Sequence, residues 1–117
     1  MNSSTSVNVE PIAKFEKEAR RLIKKYNSLA GELRELRKDL CQNPTMGTPI
    51  GRSCYKIRLA IDSKGKGKSG GARVITHYYI HGNTVYLLSI YDKDEQESIS
   101  EEKIADLLHG IVNTIIT

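Results

Sequence analysis

Residues 55–73 read YKIRLAIDSKGKGKSGGAR, and the fold follows from this stretch because it joins an alternating segment to a glycine-rich turn and an apolar run. The stretch holds six basic side chains, with Arg52 as a seventh just upstream, and Asp62 is its one acid. Glycines let a chain reverse direction, and clustered cations attract anions. The stretch therefore predicts two strands and a turn that form part of a site for a nucleotide, a nucleic-acid backbone or an acidic protein.

Three consecutive strands are predicted from residue 55 onward. The first strand has an apolar face and a basic face, because successive side chains of a strand point to opposite sides. The apolar face consists of Tyr55, Ile57, Leu59 and Ile61, and the other face consists of Lys56, Arg58 and Ala60. Residues 72–80 form the second strand, with one face made of Arg73, Ile75, His77 and Tyr79. After a turn at residues 81–83, residues 84–92 form the third, and alternation places on one face Val85, Leu87, Ser89, Tyr91 and then Lys93.

Upstream of these strands the apolar residues follow a helical period. Residues 7–9 indicate a short strand, Pro11 suits the first turn of a helix that reaches Tyr26, and a second helix follows over residues 29–40. Residues 43–53 predict a loop, and a last helix begins at Ser98 or Ser100. The expected fold is α+β in two layers, in which an N-terminal helical hairpin packs on a small antiparallel sheet in the order β-α-α-β-β-β-α.

Length and composition limit the function classes. A chain of 117 residues predicts a single domain over 1–117, with residues 1–6 frayed, and its net charge of +4 is only moderately basic. Cys41 and Cys54 lack the spacing of a zinc site, so we expect reduced cysteines and no metal. The N-terminus has no basic start followed by an apolar run, and no stretch is long enough to span a membrane, so we expect a cytoplasmic protein.

Two nucleotide-binding motifs match in letters but not in context. Gly65, Gly67 and Gly70 have the spacing of the dinucleotide fingerprint, and residues 67–69 resemble the end of a P-loop. Both motifs bind phosphate at the start of a helix, whereas a β-branched strand follows here. The sequence therefore excludes both motifs and predicts no cofactor.

The remaining candidate is the basic face of the sheet. The three histidines, His77, His81 and His109, lie on different elements and have no evident carboxylate partner, so they are interpreted as structural or exposed. A sheet face that carries Lys56, Arg58, Arg73, Tyr91 and Lys93 could bind RNA, could cleave it by attack of a ribose 2′-OH, or could simply be solvated. The residues alone leave these three possibilities open.

Three runs of residues carry a family resemblance. YKIRLA at 55–60, GKSGGARVI at 67–75 and VYLLSIYDK at 85–93, with the acidic loop and helix that follow, resemble the RelE/HigB-type toxins of bacterial type II toxin–antitoxin pairs. The resemblance extends over about residues 7–109. It implies a ribosome-dependent mRNA endonuclease that needs no cofactor and is neutralised by an antitoxin, often a helix-turn-helix DNA-binding protein encoded beside it.

The resemblance also implies site residues. Lys56 and Arg58 would contact the scissile phosphate, Arg73 would stabilise the phosphorane, and Tyr91 and Lys93 would be active-site groups at the end of the last strand. Additional contacts to RNA or the ribosome are expected from the turn, at Lys64, Lys66, Lys68 and Ser69. Two alternatives are a relative that binds only its antitoxin or RNA, and a gyrase inhibitor of the related ParE branch.

Overall fold

The computed structural model describes the backbone of residues 7–116 and the side chains of residues 7–111, so the expectation of a frayed segment at 1–6 lies outside it. The elements follow the expected order with one additional strand. They are β1 (Asn8–Pro11), α1 (Ala13–Lys25), α2 (Leu29–Gln42), β2 (Thr48–Gly51), β3 (Cys54–Leu59), β4 (Ala72–Tyr79), β5 (Thr84–Asp92) and α3 (Glu101–Ile116). Short 3-10 turns lie at Asp62–Lys64 and Ile80–Gly82. The α+β class is therefore confirmed.

The sheet has five strands in the order β1-β5-β4-β3-β2. The meander β3-β4-β5 is antiparallel as expected, whereas β1 pairs with β5 in parallel. The prediction of a loop throughout residues 43–53 is wrong, because residues 48–51 form the edge strand β2. Proline is tolerated at a sheet edge, where its missing N–H need not bond to a neighbour, so Pro49 does not prevent this pairing.

The helices cover both faces of the sheet. The hairpin of α1 and α2 packs on one face through buried side chains that include Phe15, Leu22, Leu36 and Leu40. Helix α3 packs on the other face through Ile104, Leu107 and Ile111. The arrangement therefore has three layers. The expectation of two layers is wrong, because α3 packs on the sheet face that the sequence predicted to be basic and uncovered.

A β-bulge in β5 changes the predicted faces of that strand. Ile75 pairs with Ser89 but Thr76 pairs with Leu87, so Leu88 is an extra residue. Such an insertion reverses the alternation beyond it. Val85 and Leu87 consequently contact the hairpin, whereas Leu88 and Tyr91 contact α3, and the single face predicted for residues 85–93 is wrong.

The local signals for helix ends are partly confirmed. Ser100 caps α3, since its hydroxyl accepts a hydrogen bond from the backbone N–H of Lys103 at 3.1 Å. The prediction that Pro11 lies in the first turn of the helix is wrong, because Pro11 ends β1 and α1 begins at Ala13. Ser28 precedes α2 but does not cap it, because its hydroxyl contacts Ser63 at 2.9 Å and fixes the 3-10 turn to the helix. Among the described helices, none is long and apolar enough to cross a membrane.

Candidate functional site

The centre of the candidate site is a row of three side chains across β3, β4 and β5. Arg58 lies opposite Arg73, and Arg73 lies opposite Tyr91. Residues directly opposite each other in a sheet project from the same face, and like charges in that position destabilise the pairing. The repulsion between Arg58 and Arg73 is unfavourable for the fold, and an anion bound beside the exposed Arg58 would reduce it.

The row changes from exposed to buried as it crosses the sheet. Arg58 is exposed and Lys56, two residues earlier on β3, is half-buried. Arg73 is 6% exposed and Tyr91 is 3% exposed. Only the β3 end of the row is therefore open to a ligand in this structure.

The guanidinium group of Arg73 holds the glycine-rich turn. Its Nη1 donates to the carbonyl oxygens of Lys68 at 3.0 Å and of Ala72 at 3.1 Å, and its Nη2 donates to that of Ser69 at 3.4 Å. Gly71 lets the turn pack directly against the backbone at the end of β3, because a Cβ at this position would lie 2.1 Å from the carbonyl oxygen of Leu59. Both Arg73 and the absence of a side chain at Gly71 therefore determine where the turn lies.

The predicted contacts on the turn divide into buried and exposed groups. Lys64 is nearly buried, and its ammonium lies 2.5 Å from Asp92 Oδ1 and 2.9 Å from Asp94 Oδ2. Lys66 is exposed and pairs with Asp94 at 3.0 Å. Lys68 and Ser69 are exposed. The structure thus gives Lys64 an internal role and leaves Lys68 as the exposed cation of the turn that forms no ion pair within residues 7–111.

Asp92 anchors this part of the molecule, and the sequence did not identify it. It is fully buried, and its carboxylate accepts hydrogen bonds from Lys64, from the Tyr26 hydroxyl at 2.5 Å and from the Asp94 backbone N–H at 2.9 Å. Burial by itself would raise the pKa of Asp92, but these hydrogen bonds outweigh it and lower the pKa to about 2. The carboxylate therefore ties α1, the turn and the end of β5 together.

Tyr91 lies beneath α3. Its ring packs with Ile75, Leu88 and the α3 side chains Ile104 and Leu107. Its hydroxyl is buried without a hydrogen-bond partner among the described residues, and burial raises its pKa although the nearby Arg73 acts in the opposite direction. Lys93, two residues on, is partly exposed and lies 4.0 Å from Glu97. The structure thus places Tyr91 in the row but closes access to it.

The remaining sulfur and imidazole groups form no catalytic arrangement. Both cysteines are free, and burial raises the pKa of the Cys54 thiol to about 11. His77 lies 3.7 Å from that sulfur, and its own pKa is lowered by burial. Over residues 7–111, no group of three or more metal-ligating side chains is brought together. Cys54 is thus an unreactive core thiol, because nucleophilic cysteines need a lowered pKa.

Solved structures with a similar fold are toxins and toxin–antitoxin complexes. A free, doubly arginine-substituted form of the Escherichia coli toxin RelE matches with a TM-score of 0.61 and 16% identity, over 91% of this chain and 98% of that chain. The intact E. coli RelBE complex matches with a TM-score of 0.58 and 18% identity, over 74% of this chain and 96% of that chain. The RelBE2 complex of Mycobacterium tuberculosis matches with a TM-score of 0.57 and 17% identity, over 79% of this chain and 97% of that chain.

No family model matches the sequence. The structural matches nevertheless extend over nearly the whole of each solved toxin chain. The chain therefore has the RelE fold, and its resemblance to RelE/HigB-type toxins is confirmed at the level of the fold. A fold is compatible with several activities, so function has to be argued from the site.

Proposed function

We propose that this chain is the toxin of a type II toxin–antitoxin pair and inhibits translation in the cytoplasm as a ribosome-dependent mRNA endonuclease. The observation that carries the proposal is the pair of opposed arginines, Arg58 and Arg73, on the RelE fold. Two cations on neighbouring strands raise the local affinity for a phosphodiester and are costly without one. Its partners would be messenger RNA, the ribosome and an antitoxin, often a helix-turn-helix DNA-binding protein.

The proposed reaction is strand scission by the ribose 2′-OH. The 2′ oxygen forms a bond to phosphorus as its proton leaves to a base, and the bond from phosphorus to the 5′ oxygen breaks as that oxygen gains a proton. The products are a 2′,3′-cyclic phosphate and a free 5′-OH. Extra negative charge develops on the phosphorane in between, so fixed cations accelerate the step.

The residues divide these tasks according to their exposure. Arg58 is exposed and Lys56 is half-buried, so both would be able to contact the scissile phosphate. Lys93, which is partly exposed, would be a further active-site group, and the exposed Lys68 would contact the RNA or the ribosome. Arg73 is buried, so it would contribute its positive charge without contacting the phosphate directly. Its hydrogen bonds to the carbonyls of Lys68 and Ser69 position the turn. Tyr91 is assigned to proton transfer, a role that requires α3 to move away from its unpartnered hydroxyl.

The burial of Tyr91 favours a second candidate function, which is binding of RNA or an antitoxin without cleavage. If α3 never leaves the sheet, the row offers Lys56 and Arg58 but no accessible tyrosine hydroxyl for proton transfer, since Tyr91 is 3% exposed. The fold and the opposed arginines would then serve recognition only.

Expression of the chain alone in bacteria, with primer extension on messenger RNA, separates these functions. The endonuclease predicts growth arrest with cuts in the ribosomal A site, and the Arg58→Ala variant should lose both. Lys38→Ala, an exposed cation on α2, is the control and should remain toxic. Soluble wild-type protein with normal growth would overturn the toxin proposal, whereas arrest without cuts would favour the binder, and DNA breaks with normal translation would indicate gyrase inhibition.

A further inference from the structure

The strand β2 covers only part of the outer edge of β3. Pairing between the two strands ends at Lys56, which lies opposite Thr48. Within residues 7–116, no strand lies on the outer side of residues 58–60. The two outermost strands of the sheet each carry a proline, which hinders the addition of a further strand, whereas residues 58–60 carry none. The sheet therefore keeps a short open edge beside the proposed RNA site.

The register of β3 and β4 shows which backbone groups point to this open edge. In an antiparallel pair, residue pairs that exchange hydrogen bonds alternate with pairs whose N–H and C=O groups point to the other side. The N–H of Tyr78 donates to the carbonyl oxygen of Ser53 at 3.0 Å, so Arg58, an odd number of positions further along β3, belongs to the second kind. Its N–H and C=O groups therefore point away from β4, and neither forms a hydrogen bond within the described residues.

This open edge faces a groove of about 490 Å³ between β3 and α2. Residues 57–60 line its strand side, and one face of α2, from Ser28 to Asp39, lines its helix side. A helix rises about 1.5 Å per residue, so the helix side extends over about 16 Å, which is the length of about five residues of extended chain. The groove therefore has the dimensions of a short strand laid along the edge of β3.

Gly31 leaves space in this groove. It lies inside α2 on the groove side, although glycine in the middle of a helix is unfavourable relative to alanine. Packing does not require it, because a Cβ at this position would meet only Arg34 Nη2, at the ordinary contact distance of 3.6 Å. The space at Gly31 is thus explained by something that occupies the groove, and the open N–H and C=O groups of Arg58 indicate that it is an extended peptide.

The helix side of the groove is acidic. Glu32, Glu35 and Asp39 line it, and Asp62 adds a carboxylate beyond the end of β3. Among the described residues, the only ion pair of these four carboxylates joins Glu35 to the exposed Lys38 at 3.3 Å. The carboxylates would repel the phosphates of RNA, so the groove favours a basic polypeptide.

An added strand would present its side chains alternately to the two sides of the sheet. The residue opposite Arg58 would share the α3 face with it, so the residues on either side of that one would point toward the acids of α2. The groove therefore fits a segment with a basic residue at every second position. The intervening residues should be uncharged or acidic, because they would lie beside Arg58.

We propose that the open edge of β3, together with the acidic side of α2, binds an extended basic segment of a ribosomal protein as an added strand. The inference rests on the proposed function, since that function places the chain at the ribosome. Proteins that bind nucleic acid carry basic arms, which neutralise phosphates. Such an arm suits a groove that repels RNA, and docking there leaves the side chain of Arg58 on the α3 face.

The probe for the edge itself is a short synthetic peptide of alternating lysine and valine, with its affinity for the full chain measured by calorimetry. The matched control peptide is methylated on the backbone nitrogen of each valine, because the valines would pair with Arg58 when the lysines face α2. The control peptide should bind at least about tenfold more weakly, since it keeps the charge but loses the donors to the edge. No binding by the first peptide, or equal binding by both, would overturn the inference.

Two variants test the groove. Gly31→Leu fills it and should weaken peptide binding at least about tenfold without lowering the melting temperature, because leucine favours a helix more than glycine does. Glu35→Lys/Asp39→Lys reverses the charge of the groove and should have a similar effect. The control Glu16→Lys/Asp106→Lys makes the same net change at exposed positions outside the groove and should stay within about twofold. Unchanged binding in Gly31→Leu, or equal loss in both charge variants, would contradict the inference.

Sedimentation with purified ribosomes separates this inference from the endonuclease proposal. Both groove variants should associate with ribosomes at least about threefold more weakly than the wild type and the control. Association that depends on the groove but yields no messenger cuts would support the groove and reject the endonuclease, whereas cuts with association unchanged in the groove variants would overturn the groove alone. Protection of the amides at 58–60 from hydrogen exchange by the protein of the adjacent reading frame, but not by ribosomes, would assign the edge to that protein and likewise overturn the inference.

Discussion

The ammonium of Lys64 lies 2.5 Å from Oδ1 of Asp92, and both side chains are almost completely buried. The two residues are 28 positions apart, and their contact joins the 3-10 turn after β3 to the end of β5. The hydroxyl of Tyr26 donates to the other carboxylate oxygen. A lysine in the most basic part of the chain thus serves the fold, and the turn that carries Lys66 and Lys68 is fixed from beneath.

The first prediction concerns acid stability. The pKa of Asp92 is about 2 in the folded chain against 3.8 for a free side chain, so the folded state favours the ionised form. This contribution, about 2 kcal/mol, is fully present above about pH 4 and is lost as the pH falls through 2. Urea denaturation at a series of acidic pH values should therefore show stability falling steeply across that interval.

The variant Asp92→Asn should flatten that dependence and lower the stability at neutral pH by about 2 kcal/mol or more, because Lys64 loses a charged partner in a buried position. Asp106→Asn, at an exposed position of α3, is the matched control and should behave like the wild type. If the stability of Asp92→Asn fell with decreasing pH as steeply as that of the wild type, other carboxylates would be the cause of the acid-induced loss of stability.

The second prediction concerns the close approach at Gly71. A Cβ there would lie 2.1 Å from the Leu59 carbonyl oxygen and 3.1 Å from the Ala60 Cα, which are backbone atoms that cannot rotate away. Gly71→Ala should therefore lower the free energy of unfolding by about 2–3 kcal/mol, as overpacking does. The same displacement would move Arg73, so any RNA cleavage should fall with it.

Gly110→Ala provides the contrast for that measurement. Gly110 lies inside α3, and a Cβ there meets no atom within 4 Å. Alanine should stabilise this helix position by about 0.5–1 kcal/mol. If neither variant changed the free energy of unfolding measured in urea, the turn would have to be flexible enough to make room for a methyl group at residue 71.

The elements that could be predicted from the sequence are those with local signals. Alternation in residues 55–59 identified β3, helical periodicity identified α1 and α2, and the Gly-Gly before Ala72 marked the start of β4. The basic row of Arg58 and Arg73 followed from alternation as well, because a regular strand repeats every second residue.

What could not be predicted depends on contacts distant in sequence. The bulge at Leu88 is invisible in the continuous apolar run around it, and it turns Val85 and Leu87 toward the hairpin. Tyr91 stays on the predicted face with Arg73, but nothing in the sequence indicated that α3 covers that face. The pairing of β1 with β5 and of Lys64 with Asp92 likewise joins segments with no local signal for each other. Lys64 looked like its exposed neighbour Lys66 for that reason, since composition alone does not distinguish a buried cation from an exposed one.

The third prediction concerns access to Tyr91. In the wild type its buried hydroxyl, with a raised pKa, should react with tetranitromethane far more slowly than the half-buried Tyr79. Leu107→Ala removes one of the apolar contacts that hold α3, each worth about 1.5–3 kcal/mol, and should increase nitration at Tyr91. Mass spectrometry of peptides would locate the modified rings.

Two comparisons show whether α3 opens locally. Tyr26 lies on the opposite face with its hydroxyl bonded to Asp92, so it should stay protected in Leu107→Ala unless the whole chain unfolds. His109→Ala, at an exposed position of α3, should leave both tyrosines as in the wild type. If Tyr91 transfers a proton after α3 moves, RNA cleavage should rise with nitration in Leu107→Ala and disappear in Tyr91→Phe. Cleavage that is indifferent to Tyr91→Phe would leave the chemistry to Arg58 and Lys56 and remove the need for α3 to move.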